Sequence, residues 1–559
     1  MKNLKKSLSG ITGLDEITHG GLPAGRTTLI CGRAGTGKSL LSLEFIYRGA
    51  AQYDEPGVFV SFEEKPENIL QNAASFGWEL ENLVNDGKLI IHHIPIQPGE
   101  IIEAGDFNLD GLLLQIQALI DKVNAKRLVL DTIETIFSGF RNHRILRAEL
   151  NRIFKYFTEK GITTIVTGEQ GENTLTRFGL EEYVSDCVIY LDLQVRNGIA
   201  TRRLRIVKYR GSSHIANEFP FFIEDEGVTF SPITSVGLDY PVSEEVFSTG
   251  IEALDEMLGL GGIYRGTVML ISGTSGTGKT TLAASIAVEG LKRGESCLFI
   301  SFEESADQIL RNMKSVGLNL AEFVEKGSLR FFCHRPTFTG LEEHLHRILE
   351  KINEHNPTFV VIDPVSNLIN IAEILEVKWM LTRMMDHLRH RMITTIFTDL
   401  TENSDYYREA TSIDISSLMD TWIFLRDIES TSERNRGMYV LKSRGSSHSN
   451  QIREYRITSD GIVLEEVVSD ANGVLTGTAR KAKMLEKEMQ KKLKEKELLL
   501  KKAELAALQT KMAGRLKEME DDFKLQLDKI RHEIELSEME QELREAYHKE
   551  VAKNRQKPA

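Results

Sequence analysis

The chain has 559 residues, is 41% hydrophobic and 27% charged, and carries a formal net charge of −13. That balance suits a protein with sizeable cores and argues against nucleic-acid binding by bulk electrostatics. The basic start MKNLKKSLSGITGLDE has no apolar targeting core and no stretch is long and apolar enough to span a bilayer, so a cytoplasmic location is expected. Four cysteines, Cys31, Cys187, Cys297 and Cys333, form no Cys-x-x-Cys pair, so neither a zinc site nor a redox motif is expected.

In chain order, the first element with a mechanism is GRAGTGKS, Gly32–Ser39. It follows the apolar run TTLIC and opens the helical run SLLSLEFIY. Gly32, Gly35, Thr36 and Gly37 let backbone N–H groups wrap phosphates at a helix N-terminus. Lys38 is expected to reach the β/γ-phosphates of ATP, and Ser39 to bind Mg²⁺. The strand VFVSF then ends at Glu63–Glu64, where a carboxylate can polarise water or a hydroxyl. The strand LVLD ends at Asp131, placed to orient the metal's water shell. A strand-ending Asp is usually a cap, and two loop carboxylates are common; the repetition below favours function. ITTIVT follows, then KYRGSSH, Lys208–His214.

The series then returns. ITGLDEITHGG from Ile11 matches IEALDEMLGLGG from Ile251, SFEE recurs, and RLVLDT, ITTIVT and KYRGSSH reappear as FVVIDP, ITTIFT and KSRGSSH. The offsets are 240, 240, 232, 231 and 234 residues, so order and spacing survive. The second phosphate loop is GTSGTGKT, with Gly273, Gly276, Thr277, Gly278, Lys279 and Thr280. Its companions are Glu303–Glu304 and Asp363. Two copies of one domain are therefore expected, at 1–236 and 237–470, linked near Pro232–Pro241. Short β-branched runs alternating with helical stretches predict a parallel sheet covered by helices in each.

A tail, 471–559, differs in composition. From Ala479 to Lys553 there is no proline and one glycine, Gly514, which predicts a long helix. Leu505, Leu508, Met512, Leu516, Met519, Phe523, Leu527, Ile530 and Ile534 step by 3, 4 and 4. A period of eleven runs nearly straight, and the wet apolar stripe predicts a coiled coil.

The paired phosphate loops, FEE motifs and Lys-x-Arg-Gly-Ser-Ser-His segments, over about residues 8–466, resemble the KaiC family, the two-domain RecA-like ATPase and autokinase of the circadian clock. The resemblance implies a homohexamer of two stacked rings with ATP at subunit boundaries. It implies that Lys208 and Arg210, and Lys442 and Arg444, reach a neighbour's γ-phosphate, where a cation stabilises transition-state charge. The other reading of these segments is a tight turn at Gly211 and Gly445. Aligning Asp420 with Asp186 sets Ser416 and Ser417 against Glu182 and Tyr183. The family places two adjacent hydroxyls here as autophosphorylation sites, so the role is carried to Ser416 and Ser417. The family pattern is Ser-Thr; this chain has Ser-Ser. Glu303 is then the expected base for the hydroxyl, while Glu63 and Glu64 place water for hydrolysis. The long tail replaces the family's short terminal peptide for the partner KaiA, which argues against dependence on KaiA. Tails of two hexamers are expected to pair into a dodecamer, with KaiB on the first ring by resemblance, near Gly105–Leu113. A nucleotide-gated scaffold without kinase activity is the alternative. A RecA-like DNA motor is disfavoured by the acidity and the lack of basic, aromatic-rich segments.

Overall fold

The computed structural model describes residues 4–554 except 96–108, 138–142, 173, 178, 180–183, 197, 232–238, 338, 402–412, 414, 431–432, 467 and 471–472. Most of the expected link at Pro232–Pro241, and residues 105–108 of the segment Gly105–Leu113, fall outside the described residues, as do Glu182 and Tyr183.

Each phosphate loop leaves a strand buried at all six positions, Thr27–Gly32 or Val268–Gly273. That is the signature of a strand covered on both faces. In the first domain nine strands form one sheet. From one edge they run Leu89–His93, Gly57–Ser61, Arg127–Asp131, Thr163–Glu169, Thr27–Gly32, Cys187–Arg196, Ile199–Tyr209, Glu218–Glu224 and Gly227–Phe230. The first six are mutually parallel and the last three return antiparallel. The second domain repeats this order, from Leu329–Cys333 through Val268–Gly273 at the fifth place to Gly461–Leu464. The expected pair of RecA-like domains is therefore present.

Strand alternation splits the apolar residues into a cluster on each face. Val58 and Val60 join Leu128 and Leu130 on one side, while Phe59 joins Val129 and Phe45 on the other. In the second domain Leu298 and Ile300 lie on one side and Phe299 on the other. The two domains meet through an Arg196–Glu376 ion pair at 2.7 Å and a His346–Glu224 contact at 2.9 Å.

The tail is one α-helix, Gly477–Asn554, close to the expected span. Its start is held by the Glu433 carboxylate, which accepts from the Thr478 amide at 3.1 Å and its hydroxyl at 2.8 Å. Those bonds hold the Glu433 carboxyl below its ordinary range. Along the helix every member of the stripe of period eleven is more than half exposed, from Ile534 at 51% to Met512 at 64%.

Candidate active sites

Tight turns at Gly37 (φ 97°) and Gly278 (φ 89°) swing the chain from strand into helix. Only glycine adopts this left-handed region without strain, so the loop motif is a backbone requirement. The helices Lys38–Gln52 and Lys279–Lys292 begin at the next residue, aiming free N–H groups at the loop. The Lys38 ammonium donates to the carbonyls of Gly32 and Arg33 at 2.9 and 3.0 Å. Lys279 does the same to Gly273 and Thr274 at 2.9 and 2.8 Å. Burial holds Lys279 below the ordinary lysine value, opposed by the nearby Asp363.

The strands Arg127–Asp131 and Phe359–Asp363 deliver their final carboxylates beside these loops. Ser39 Oγ donates to Asp131 Oδ1 at 3.1 Å, and Thr280 Oγ1 to Asp363 Oδ2 at 2.9 Å. A second hydroxyl binds each aspartate: Thr167 donates to Asp131 at 2.5 Å, and Thr398 to Asp363. Burial pushes both carboxyls above their usual range, and the hydroxyls pull the other way. A cation there would offset that burial. Hydroxyl and carboxylate oxygens are the hard donors Mg²⁺ prefers. Among the described residues no group of three or more His, Cys, Asp or Glu is placed to hold a metal. The first loop opens on a cavity of about 440 Å³ lined by Lys38, Ser39, Phe59, Glu64, Asn72 and Asp131.

The paired glutamates divide in the same way in both copies. Glu64 is half-buried and accepts from Asn72 Nδ2 at 3.0 Å; Glu304 accepts from Asn312 Nδ2 at 3.3 Å. Glu63 and Glu303 are exposed. Glu63 Oε1 accepts from Thr132 Oγ1 at 3.1 Å and from Thr135 Oγ1 at 3.0 Å.

Sheet register places the remaining site residues elsewhere. Gly32 pairs with Leu191, but Thr28 pairs with Cys187, which pairs with Tyr209. Lys208 and Arg210 thus lie at the opposite end of the central strand from their own phosphate loop, roughly 17 Å away along the strand. Lys208 Nζ donates to Ser185 O at 2.7 Å, and Arg210 lies 3.9 Å from Asp186. The second copy matches. Lys442 Nζ donates to the carbonyls of Ser416 and Ser417 at 3.1 and 3.3 Å. Arg444 donates to Ser417 O at 2.7 Å and pairs with Asp420 at 3.3 Å. Asp420 also takes Arg389 at 2.9 Å and the Val268 amide at 3.0 Å. Ser416 is half-buried and Ser417 exposed. Cations and serines therefore share one end of the sheet.

Comparison with known proteins agrees with this duplicated arrangement. A family model described as the KaiC ATPase matches residues 8–235 and again 247–469. The chain belongs to the KaiC family. It is 48% identical over 497 residues to the circadian clock protein KaiC2 of a Synechocystis species, covering 89% of this chain and 88% of that one. It is 36% identical over 484 residues to the circadian clock oscillator protein KaiC of Acaryochloris marina, covering 86% and 92%. The corresponding KaiC of Thermosynechococcus vestitus is 36% identical over 486 residues, covering 87% and 93%. The family-model match ends at residue 469, before the long helix.

Sequence reasoning missed Thr167, Thr398, Asn72, Asn312, Thr132 and Thr135. A signal existed for four of them. Thr167 and Thr398 end the duplicated ITTIVT and ITTIFT runs, and Asn72 and Asn312 share the 240-residue offset of the FEE motifs. Thr132 and Thr135 have no such echo, since Pro364 and Asn367 stand in the second copy.

Proposed function

We propose that the chain is an ATP-hydrolysing ring protein whose second domain phosphorylates its own serines, acting as a clock component or timer. The observation that carries this is the shared end of the sheet occupied by Ser416, Ser417, Lys442 and Arg444, away from the chain's own phosphate loop. A nucleotide can meet these groups only if it belongs to another copy, so the reading is a homohexamer with sites at subunit boundaries. Lys442 and Arg444 hold the carbonyls of Ser416 and Ser417 themselves and bring positive charge to a neighbour's γ-phosphate. The serine oxygen attacks the γ-phosphorus, the bond to the ADP oxygen breaks, and ADP leaves with that electron pair. Glu303 takes the hydroxyl proton. Mg²⁺, held by Thr280 and Asp363, would neutralise charge on the phosphates. In the first domain water replaces serine, Glu63 and Glu64 place it, and Lys208 and Arg210 supply the cations.

The tail fits pairing between two rings. Residues 480–517 carry 13 Lys and Arg against 5 Glu, while 518–550 carry 12 Asp and Glu against 5 Lys and Arg. Tails of one ring point the same way, so pairing among them sets basic half against basic half. Tails of facing rings run antiparallel and set basic against acidic. A dodecamer through the tails follows. KaiB on the first ring rests on the family resemblance, and independence from KaiA on the long tail that departs from it.

Mass spectrometry after incubation with Mg·ATP tests the kinase reading. Phosphate is expected on Ser416 and Ser417 in the native chain and on neither in Lys279→Ala. Unmodified serines in the native chain would leave a nucleotide-gated scaffold.

A further inference from the structure

The two sites differ around the exposed glutamate, and we propose that Thr132 and Thr135 are positioning residues that make the first site a hydrolase. The inference rests on Glu63 being the base for water. Both hydroxyls donate to the same carboxylate oxygen, Glu63 Oε1, at 3.1 and 3.0 Å. Thr132 directly follows Asp131 and Thr135 lies in the short helix Glu134–Phe137, so the segment leaving the strand that carries the metal-side carboxylate also fixes the base. Two donors on one oxygen set the plane of the carboxylate and leave Oε2 facing outward. Water attacking the γ-phosphorus gives its proton to that outward oxygen as the bond to ADP breaks, and phosphate and ADP leave.

The second site has the same backbone course but neither donor. The Phe62 amide donates to Asp131 O at 2.8 Å, and the Phe302 amide to Asp363 O at 2.9 Å. Glu134 and Ser366 each accept the backbone amide of the next strand, from Glu169 and from Leu400. With those positions equivalent, Pro364 stands for Thr132 and Asn367 for Thr135. Proline has no hydroxyl. The Asn367 amide donates to Phe302 O at 3.5 Å instead. Among the described residues no side chain donates to the Glu303 carboxylate, which is steered only through its backbone amide on Ser301 at 3.4 Å. A fixed base suits a small water that adjusts to it. An unfixed base can turn towards a serine whose position is set by another chain. The hydroxyl pair thus selects water over serine as acceptor.

The test uses the full-length chain with Glu303→Gln and Glu304→Gln, so that phosphate release reports the first site. Thr132→Val with Thr135→Val is expected to lower kcat about tenfold or more, with KM changed less than about twofold. Thr132→Ser with Thr135→Ser, which keeps both hydroxyls, is expected to stay within about threefold of the parent. A purely structural role would not be rescued by the hydroxyl alone. In the otherwise native chain, Pro364→Thr with Asn367→Thr is expected to raise phosphate release and reduce phosphoserine several-fold. Unchanged kcat in the valine pair, with Glu63→Gln still inactivating, overturns the threonine assignment alone. Unchanged kcat in Glu63→Gln overturns the base assignment and this inference with it.

Discussion

Replacing Arg210 by alanine is expected to cut first-domain phosphate release about a thousandfold, the usual scale for a cation supplied across a boundary. The size of the effect follows from where charge develops. The transferring phosphoryl group spreads negative charge over its oxygens, and a preorganised cation lowers that barrier without reorganising solvent. Arg210 is half-exposed at 53%, close to Asp186 and to the Lys208 contact on Ser185 O, so its direction is set before a nucleotide arrives. It cannot serve its own phosphate loop, because the register places Tyr209 beside Cys187 and Thr28, at the far end of the strand from Gly32. Arg210→Lys is expected to restore little, since lysine lacks the planar fork. The measurement is phosphate release in chains whose second site is silenced. A rate within twofold of the parent would show that Arg210 only closes a turn.

The second large effect concerns assembly. A chain ending at Asn472 is expected to assemble as a hexamer, with half as many chains per particle as a native dodecamer. The helix Gly477–Asn554 has 78 residues, about 115 Å. Its stripe leaves Leu508, Met512, Leu516 and Phe523 all more than half exposed, surface that pairing would remove from water. Charge decides the direction. Antiparallel pairing brings a basic first half onto an acidic second half, so mass should also fall towards the hexamer as salt screens the attraction. Fluorophores at Lys483 and Arg544 report the geometry directly: energy transfer is expected between unlike positions and not between like ones. The same number of chains per particle for the full and shortened forms would remove the tail from assembly.

The parts of this molecule that sequence revealed are those governed by local backbone chemistry. Gly37 and Gly278 mark a turn that only glycine adopts, and Lys38 and Lys279 follow it immediately. Asp131 and Asp363 end apolar strands, and a strand end beside a phosphate loop has few uses. The duplication then doubled every such signal. What stayed hidden was set by contacts between distant segments. Thr167 reaches Asp131 across neighbouring parallel strands, and nothing in ITTIVT says that its last hydroxyl points at a carboxylate. The pairing of Arg444 with Asp420 and Ser417 depends on a strand returning antiparallel. The turn reading of KYRGSSH was also physically sound, since Gly211 has φ 82° and Gly445 φ 79°. A turn does not preclude the proposed cation role, because the two use different residues of one heptad. The tail showed its period in sequence, and the proposed antiparallel pairing rests on the split of charge between its halves.

A transfer site built from two chains makes a sharp demand on mixed rings. Lys279→Ala chains keep Ser416 and Ser417 but lose the grip on phosphate in the second site. Ser416→Ala/Ser417→Ala chains keep that grip but offer no hydroxyl. Neither should carry phosphoserine alone. When the two are co-assembled and given Mg·ATP, phosphoserine is expected, and only on the Lys279→Ala chains. Phosphoserine on Lys279→Ala chains assembled without the serine variant, or none in the mixture while the native chain is phosphorylated, would contradict a site shared between neighbours.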